Sequence, residues 1–295
     1  MFINLKGGVA KTTNAVAVAE CLADAGHSVL VIDADHQCMA GELLLGESRL
    51  LYTERHKKTL HDLLAAMLDD EFHADQIAEF VEPNGSNIAG GYKNLSVIPC
   101  SVRIDDFQTN MAKARHGYRS TEEFWRIFNK RRNALRRWFT NHYHFTIIDC
   151  PPSLSIQVRA LLPVADAFVL PSVPDRLSVR GSLWLLDRLR RSNVKLQGLG
   201  TLWSLYRQQN AMHRRVIEAT NDPNHKLHRA LPRPFETVIP NASAIADTTE
   251  PNRRPNSFSE KYTSQFAKLY RSLCSEIVKR SQWQPADSTA TVKAV

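Results

Sequence analysis

Eight residues near the start, Lys6-Gly7-Gly8-Val9-Ala10-Lys11-Thr12-Thr13, constrain this chain more than any other stretch. An apolar run, residues 2–5, precedes them. Residues 12–25 follow with helical spacing, Ala15, Val18, Ala19, Leu22 and Ala23 sharing one face, and Gly26 ends the helix. Residues 28–32 (SVLVI) then form an unbroken β-branched run, the pattern of a strand buried on both faces. Strand, glycine loop, helix and strand in that order make a parallel βαβ unit. Its loop is built for phosphate: glycines let backbone N–H groups turn inward, and the helix N-terminus adds positive charge. Lys11 supplies a cation to the β- and γ-phosphates, and the Thr12 hydroxyl is a ligand for Mg2+. Gly7, Gly8, Val9, Ala10 and Thr13 complete the nucleotide-binding set.

The alternation continues. Residues 95–98, 145–148, 167–170 and 199–205 read as strands, and 59–68, 121–139, 177–191, 211–220 and 259–279 as helices. The expected fold class is α/β, a doubly wound, mostly parallel sheet with helices on both faces. Residues 82–91 and 251–256 read as loops. A single domain over 1–280 with a flexible polar tail, 281–295, is the expected organisation. Apolar residues at 43% and charged residues at 23% exclude wholesale disorder. No run of 18 apolar residues exists, so a cytoplasmic protein without membrane contact is expected. Five scattered cysteines without a CxxC pair give no zinc signature.

Two acidic sites follow strands. Asp33 and Asp35 close the second strand within DADHQ, and Asp149 ends FTIID before Cys150-Pro151-Pro152. Carboxylates at the C-terminal edge of a parallel sheet lie in its ligand crevice. Cys150 reads as a small packing residue.

KGGVAKTT resembles the deviant Walker A motif, KGGxGK[ST], of the ParA/MinD group of P-loop ATPases, and the likeness extends loosely to about residue 279. It implies slow, partner-stimulated ATP hydrolysis with ATP and Mg2+ as cofactors. It implies that Lys6 reaches across an ATP-dependent homodimer to the partner's phosphates, so that Lys6, Lys11 and Asp35 are the catalytic set. Asp35 would position the attacking water; Asp33, Asp149 and Thr12 would support the metal. Pro240 and Asn241 would lie beside the adenine. The chain departs from the pattern at Ala10, where the family has glycine, and at His36, where it has proline. Alanine suits that loop position only if its φ is negative.

Net charge is +8, and residues 113–137 hold nine Lys/Arg against Glu122 and Glu123. A polyanion partner fits this excess. The resemblance implies non-specific double-stranded DNA, nucleoid association and a ParB-type adaptor protein. The arginines that some relatives use are replaced in IPNASAIADTT, so the candidate DNA contacts are Arg207, Arg214, Arg215, Arg253, Arg254, Lys261, Lys268 and Arg271. The basic helix 126–137 is an alternative. The tail has no apolar face for membrane insertion. Plasmid or chromosome partition is the leading reading. A related ATPase positioning a non-DNA cargo, and a metabolic ligase of the same fold, stay open.

Overall fold

The computed structural model describes residues 1–192, 194–250 and 253–282. Three parallel strands, β1 (Val29–Asp33), β2 (Leu95–Ile98) and β3 (Phe145–Asp149), form one half of the sheet in the order β2-β1-β3. The pair β4 (Ala167–Ser172) and β5 (Gln197–Trp203) forms the other. The run at 2–5, expected as a full strand, joins the halves through a single residue. Phe2 bridges Asp149 on one side and Val169 on the other. Its N–H donates to Ile148 at 2.8 Å, and Val169 donates to the Met1 carbonyl at 2.8 Å. Pairing stops there because Asn4 turns its amide sideways, donating to the Pro171 carbonyl at 2.7 Å and Ser182 Oγ at 3.1 Å.

Alternate strand residues face opposite ways, and both faces are covered. Leu30 and Ile32 enter one core; Val29 and Val31 enter the other. The first core is covered by α3 (Leu60–Ala66), α4 (Phe107–Arg115), α5 (Thr121–His142), α6 (Ile156–Leu161), α7 (Arg176–Arg191) and part of α8 (Ala211–Asn221). The second is covered by α1 (Lys11–Asp24), α2 (Met39–Arg55) and the C-terminal helices. Short helices α9 (Lys226–Ala230) and α10 (Ser243–Ala246) lie in the later connections. The doubly wound parallel architecture therefore stands as the strand pattern predicts.

The helix expected over 259–279 is two, α11 (Phe258–Lys261) and α12 (Thr263–Ser281), broken where Tyr262 ends the first and Thr263 opens the second at φ +56°. At the break, Lys261 and Tyr262 both turn onto Glu20 of α1. Lys261 Nζ lies 2.7 Å from Oε1, and Tyr262 donates to Oε2 at 2.7 Å. Ser86 adds a third bond at 2.6 Å. Glu20 is fully buried and Lys261 is 1% exposed. A buried carboxylate survives only when its charge is matched and its lone pairs are used, and here both conditions hold. Lys261 is thus a core residue, and its expected role in DNA contact is corrected: no phosphate can reach it. Among the described residues no helix is long and apolar enough to cross a membrane. The expected tail lies outside the described residues beyond position 282.

Candidate functional site

The loop 6–10 leaves the central bridge and enters α1 at the C-terminal edge of the sheet. Asn4 holds its first turn: Oδ1 accepts from the Lys6 N–H at 3.0 Å. Gly7 and Gly8 are exposed, and a Cβ on either would meet nothing within 4 Å, so the cradle is open. Gly8 has φ +69°, a conformation glycine adopts without steric cost. Ala10, at the N-cap of α1, also lies in the left-handed region, at φ +58° and ψ +37°. The condition of a negative φ is therefore not met. Position 10 needs what glycine supplies, and alanine holds it under strain.

The N-terminus of α1 has no side-chain cap and no acidic residue in its first turn. Its orphan N–H groups and positive dipole end consequently face the loop without internal neutralisation, which is the arrangement an anion seeks. Lys11 is 7% exposed, and its ammonium donates to the Lys6 carbonyl at 3.2 Å, closing the loop on itself. Burial lowers its pKa, while Asp149 and Asp35 act in the opposite direction. Lys6 itself is exposed, its Cβ side lying against α7 near Gly181.

Asp33 and Asp149 are register partners at the ends of β1 and β3, both fully buried. Asp33 accepts from the Gly41 N–H at 2.8 Å and the Asp35 N–H at 3.1 Å, fixing the turn that follows β1. Burial pushes its pKa up to about 7. Asp149 is raised well above the usual carboxylate range by burial and by Asp33, against the Thr12 hydroxyl and the Lys11 charge. Apart from the nearby Thr12 hydroxyl, neither Asp149 oxygen has a hydrogen-bond partner. A fully buried carboxylate with only a threonine hydroxyl and a neighbouring lysine charge to offset it is costly in a folded chain unless a cation completes it. Thr12 and Asp149 accordingly fit Mg2+, with Asp33 behind them. No cluster of three or more His, Cys, Asp or Glu able to hold a metal occurs among the described residues. Asp35 is partly exposed and accepts from the Gln37 N–H at 3.1 Å. His36, in the place of proline, sits 3.6 Å from the same carboxylate oxygen.

Pro240 and Asn241 follow a segment that pairs with the exit of β5: Tyr206 and Pro240 form a parallel bridge, and the Asn241 N–H donates to the Tyr206 carbonyl at 2.8 Å. The Arg207 guanidinium lies 2.8 Å from the Asn241 side-chain amide, whose oxygen accepts from it once the amide is turned over to face the donors. Two residues that the sequence pattern did not single out hold these parts together. Asn4 is one. Asn14, fully buried, donates to the Ala10 carbonyl at 2.8 Å and to Ser204 Oγ at 2.9 Å, and accepts from Tyr270 at 3.1 Å. One amide thereby ties the phosphate loop to the exit of β5 and to α12. The only signal for it was a polar residue among the apolar positions of α1.

The remaining DNA candidates scatter. Arg214, Arg215, Arg254 and Lys268 are exposed; Arg253 is half-buried and bonds the Glu260 carbonyl. Arg271 pairs with Asp24 at 3.3 Å.

A family model described as an AAA domain matches residues 1–197. The chromosome partitioning protein ParA of Caulobacter vibrioides is 31% identical over 223 residues, which is 73% of this chain and 72% of that one. Among solved structures, pNOB8 ParA aligns with a TM-score of 0.66 at 17% identity, covering 95% and 97% of the two chains. The cobyrinic acid a,c-diamide synthase of Mycobacterium smegmatis, with ADP and magnesium bound, aligns at 0.64 and 21% identity over 95% and 94%. These two structures share the fold. Model, relative and P-loop geometry agree: the chain belongs to the ParA family of partitioning ATPases.

Proposed function

We propose that this protein is an ATP-dependent dimerising ATPase that binds nucleoid DNA non-specifically and serves DNA partition. One observation carries the catalytic part. Lys11, Thr12, Asp33, Asp35 and Asp149, drawn from three separate stretches of sequence, converge beneath an open glycine cradle, and Asp149 has no hydrogen-bond partner but the Thr12 hydroxyl.

Each residue then has a task. The loop N–H groups and the α1 N-terminus hold the phosphates, and Lys11 neutralises charge toward the transferred phosphoryl. Thr12 and Asp149 hold Mg2+, which when bound draws electron density from the phosphate oxygens. Asp35, partly exposed at the mouth, orients the attacking water. Lys6, exposed on the rim, reaches the phosphates of a second subunit and stabilises transition-state charge from outside, as an arginine finger does. Nucleotide binding and dimerisation become one linked event. Hydrolysis, accelerated by a ParB-type adaptor protein, releases the dimer from DNA.

The test is binding to unrelated duplexes with ATP, ADP or no nucleotide, at low and high salt. ATP-dependent, sequence-blind, salt-sensitive binding that survives Asp35→Ala and disappears in Lys6→Ala supports the reading. Turnover that demands a small acceptor, with no DNA binding, sinks it in favour of a metabolic ligase of the same fold.

A further inference from the structure

Charge is segregated along this chain. Residues 102–230 hold 22 Lys/Arg against 10 Asp/Glu, while the remainder holds 16 against 20. That basic stretch supplies α4 to α8, whose buried apolar side chains enter the first core, so the excess lies largely on one face of the sheet.

Within this face, α5 carries the most regular array. Phe124, Phe128, Leu135 and Phe139 are its buried residues. At 100° per residue, Arg126, Lys130 and Arg137 fall within about 40° of one another, on the opposite side of the helix. All three are exposed, and none has a carboxylate partner within ion-pair reach among the described residues. Their neighbours are otherwise engaged: Arg131 pairs with Asp70, Arg136 with Asp166, and Arg132 lies over the Phe128 ring. The stripe spans about 16 Å at 1.5 Å per residue, the axial length over which one strand of a duplex presents about five phosphates. Arg115 and Arg119, in the segment just before α5, are also exposed.

Resting on the partition reading above, we propose that the Arg126-Lys130-Arg137 stripe of α5 is the docking surface for duplex DNA, contacting phosphates alone. Of the other candidate cations, Arg214, Arg215, Arg254 and Lys268 are exposed but lie scattered on separate elements and form no such row. Lys261 is buried, Arg271 is paired with Asp24, and Arg207 is turned onto Asn241. Unpaired guanidinium and ammonium groups in a straight row match a strand of phosphates, release its counterions, and read no base.

The test compares the unaltered chain, the triple variant Arg126→Gln/Lys130→Gln/Arg137→Gln and the charge-keeping Arg126→Lys/Arg137→Lys. Each is loaded with a non-hydrolysable ATP analogue and titrated onto a labelled duplex of arbitrary sequence at rising salt. Three lost phosphate contacts make the slope of log K against log salt shallower by about 2.7 and weaken binding at least tenfold at about 0.1 M salt. The lysine variant keeps the slope, and thermal melting of all three chains coincides. If the unaltered chain binds and the triple variant binds equally, with the same slope, this surface is wrong and the partition reading stands. If the unaltered chain binds no DNA with the ATP analogue, the partition reading falls and this surface with it. Binding to phosphatidylglycerol vesicles in place of DNA also overturns it.

Discussion

Lys261→Met tests the buried network that replaced a presumed surface lysine. The substitution keeps most of the side-chain volume and removes the ammonium 2.7 Å from Glu20 Oε1. Glu20 is left fully buried with the hydroxyls of Ser86 and Tyr262 and no countercharge. Removing one partner of a buried pair costs about 3–5 kcal/mol, since the surviving charge keeps its desolvation penalty. At roughly 2–4 °C per kcal/mol for a chain of this size, the melting temperature falls by about 10 °C. The double variant Glu20→Gln/Lys261→Met removes both charges and leaves an amide whose oxygen accepts from one of the two hydroxyls, Ser86 or Tyr262, while its NH2 donates to the other hydroxyl oxygen, so most of the loss returns. Chemical denaturation of the four chains of the cycle gives the coupling directly. A loss below about 1 kcal/mol in Lys261→Met would refute the reasoning, because it would mean that Glu20 is solvated or neutral without its partner.

Other outcomes are expected at the site. Ala10→Gly relieves about 1–2 kcal/mol of left-handed strain and adds about 0.5–1 kcal/mol of unfolded-state entropy. The net gain, roughly half to one kcal/mol, appears in a urea melt of the nucleotide-free chain, and a loss of stability would overturn the assignment of that φ. Asn14→Ala leaves Tyr270 and Ser204 without their buried partner and costs about 2–3 kcal/mol; melting measures it, and an unchanged midpoint would contradict the three hydrogen bonds. For pH, Asp33 has a folded pKa raised to about 7 from 3.8. The folded state binds the proton more tightly, so this group's contribution to stability is greatest below about pH 4. It declines as pH rises toward 7, and is flat beyond. Asp33→Asn flattens that dependence in the nucleotide-free protein, as melts across the range should record. Calorimetry in buffers of different ionisation enthalpy should find protons released when Mg-ATP binds near neutral pH, since Asp33 and Asp149 must ionise to face the metal.

The chemistry of the phosphate loop was legible in sequence because it is local. Glycines, a lysine and a threonine before an amphipathic helix specify an anion site from adjacent residues, and unbroken apolar runs specify strands buried on both faces. The acidic ends of β1 and β3 were legible for the same reason, each closing its own strand. What sequence could not supply was the partner of each buried polar group. Glu20 lies in α1, but its partners are Ser86, Lys261 and Tyr262, 66 to 242 residues away. A lysine in a basic C-terminal stretch reads as surface until a carboxylate from another layer draws it inside. Asn14 and Asn4 were silent likewise, because an amide's value depends on which carbonyls and hydroxyls the fold brings to it. The left-handed φ at Ala10 is set by the closure of the loop between the central bridge and α1, not by alanine's own preference. Local patterns thus determined the sheet, the helices and the nucleotide loop. Long-range packing decided which charges are buried, which stay free for a polyanion, and where the backbone carries strain, because those depend on desolvation and countercharge that no neighbouring residue provides.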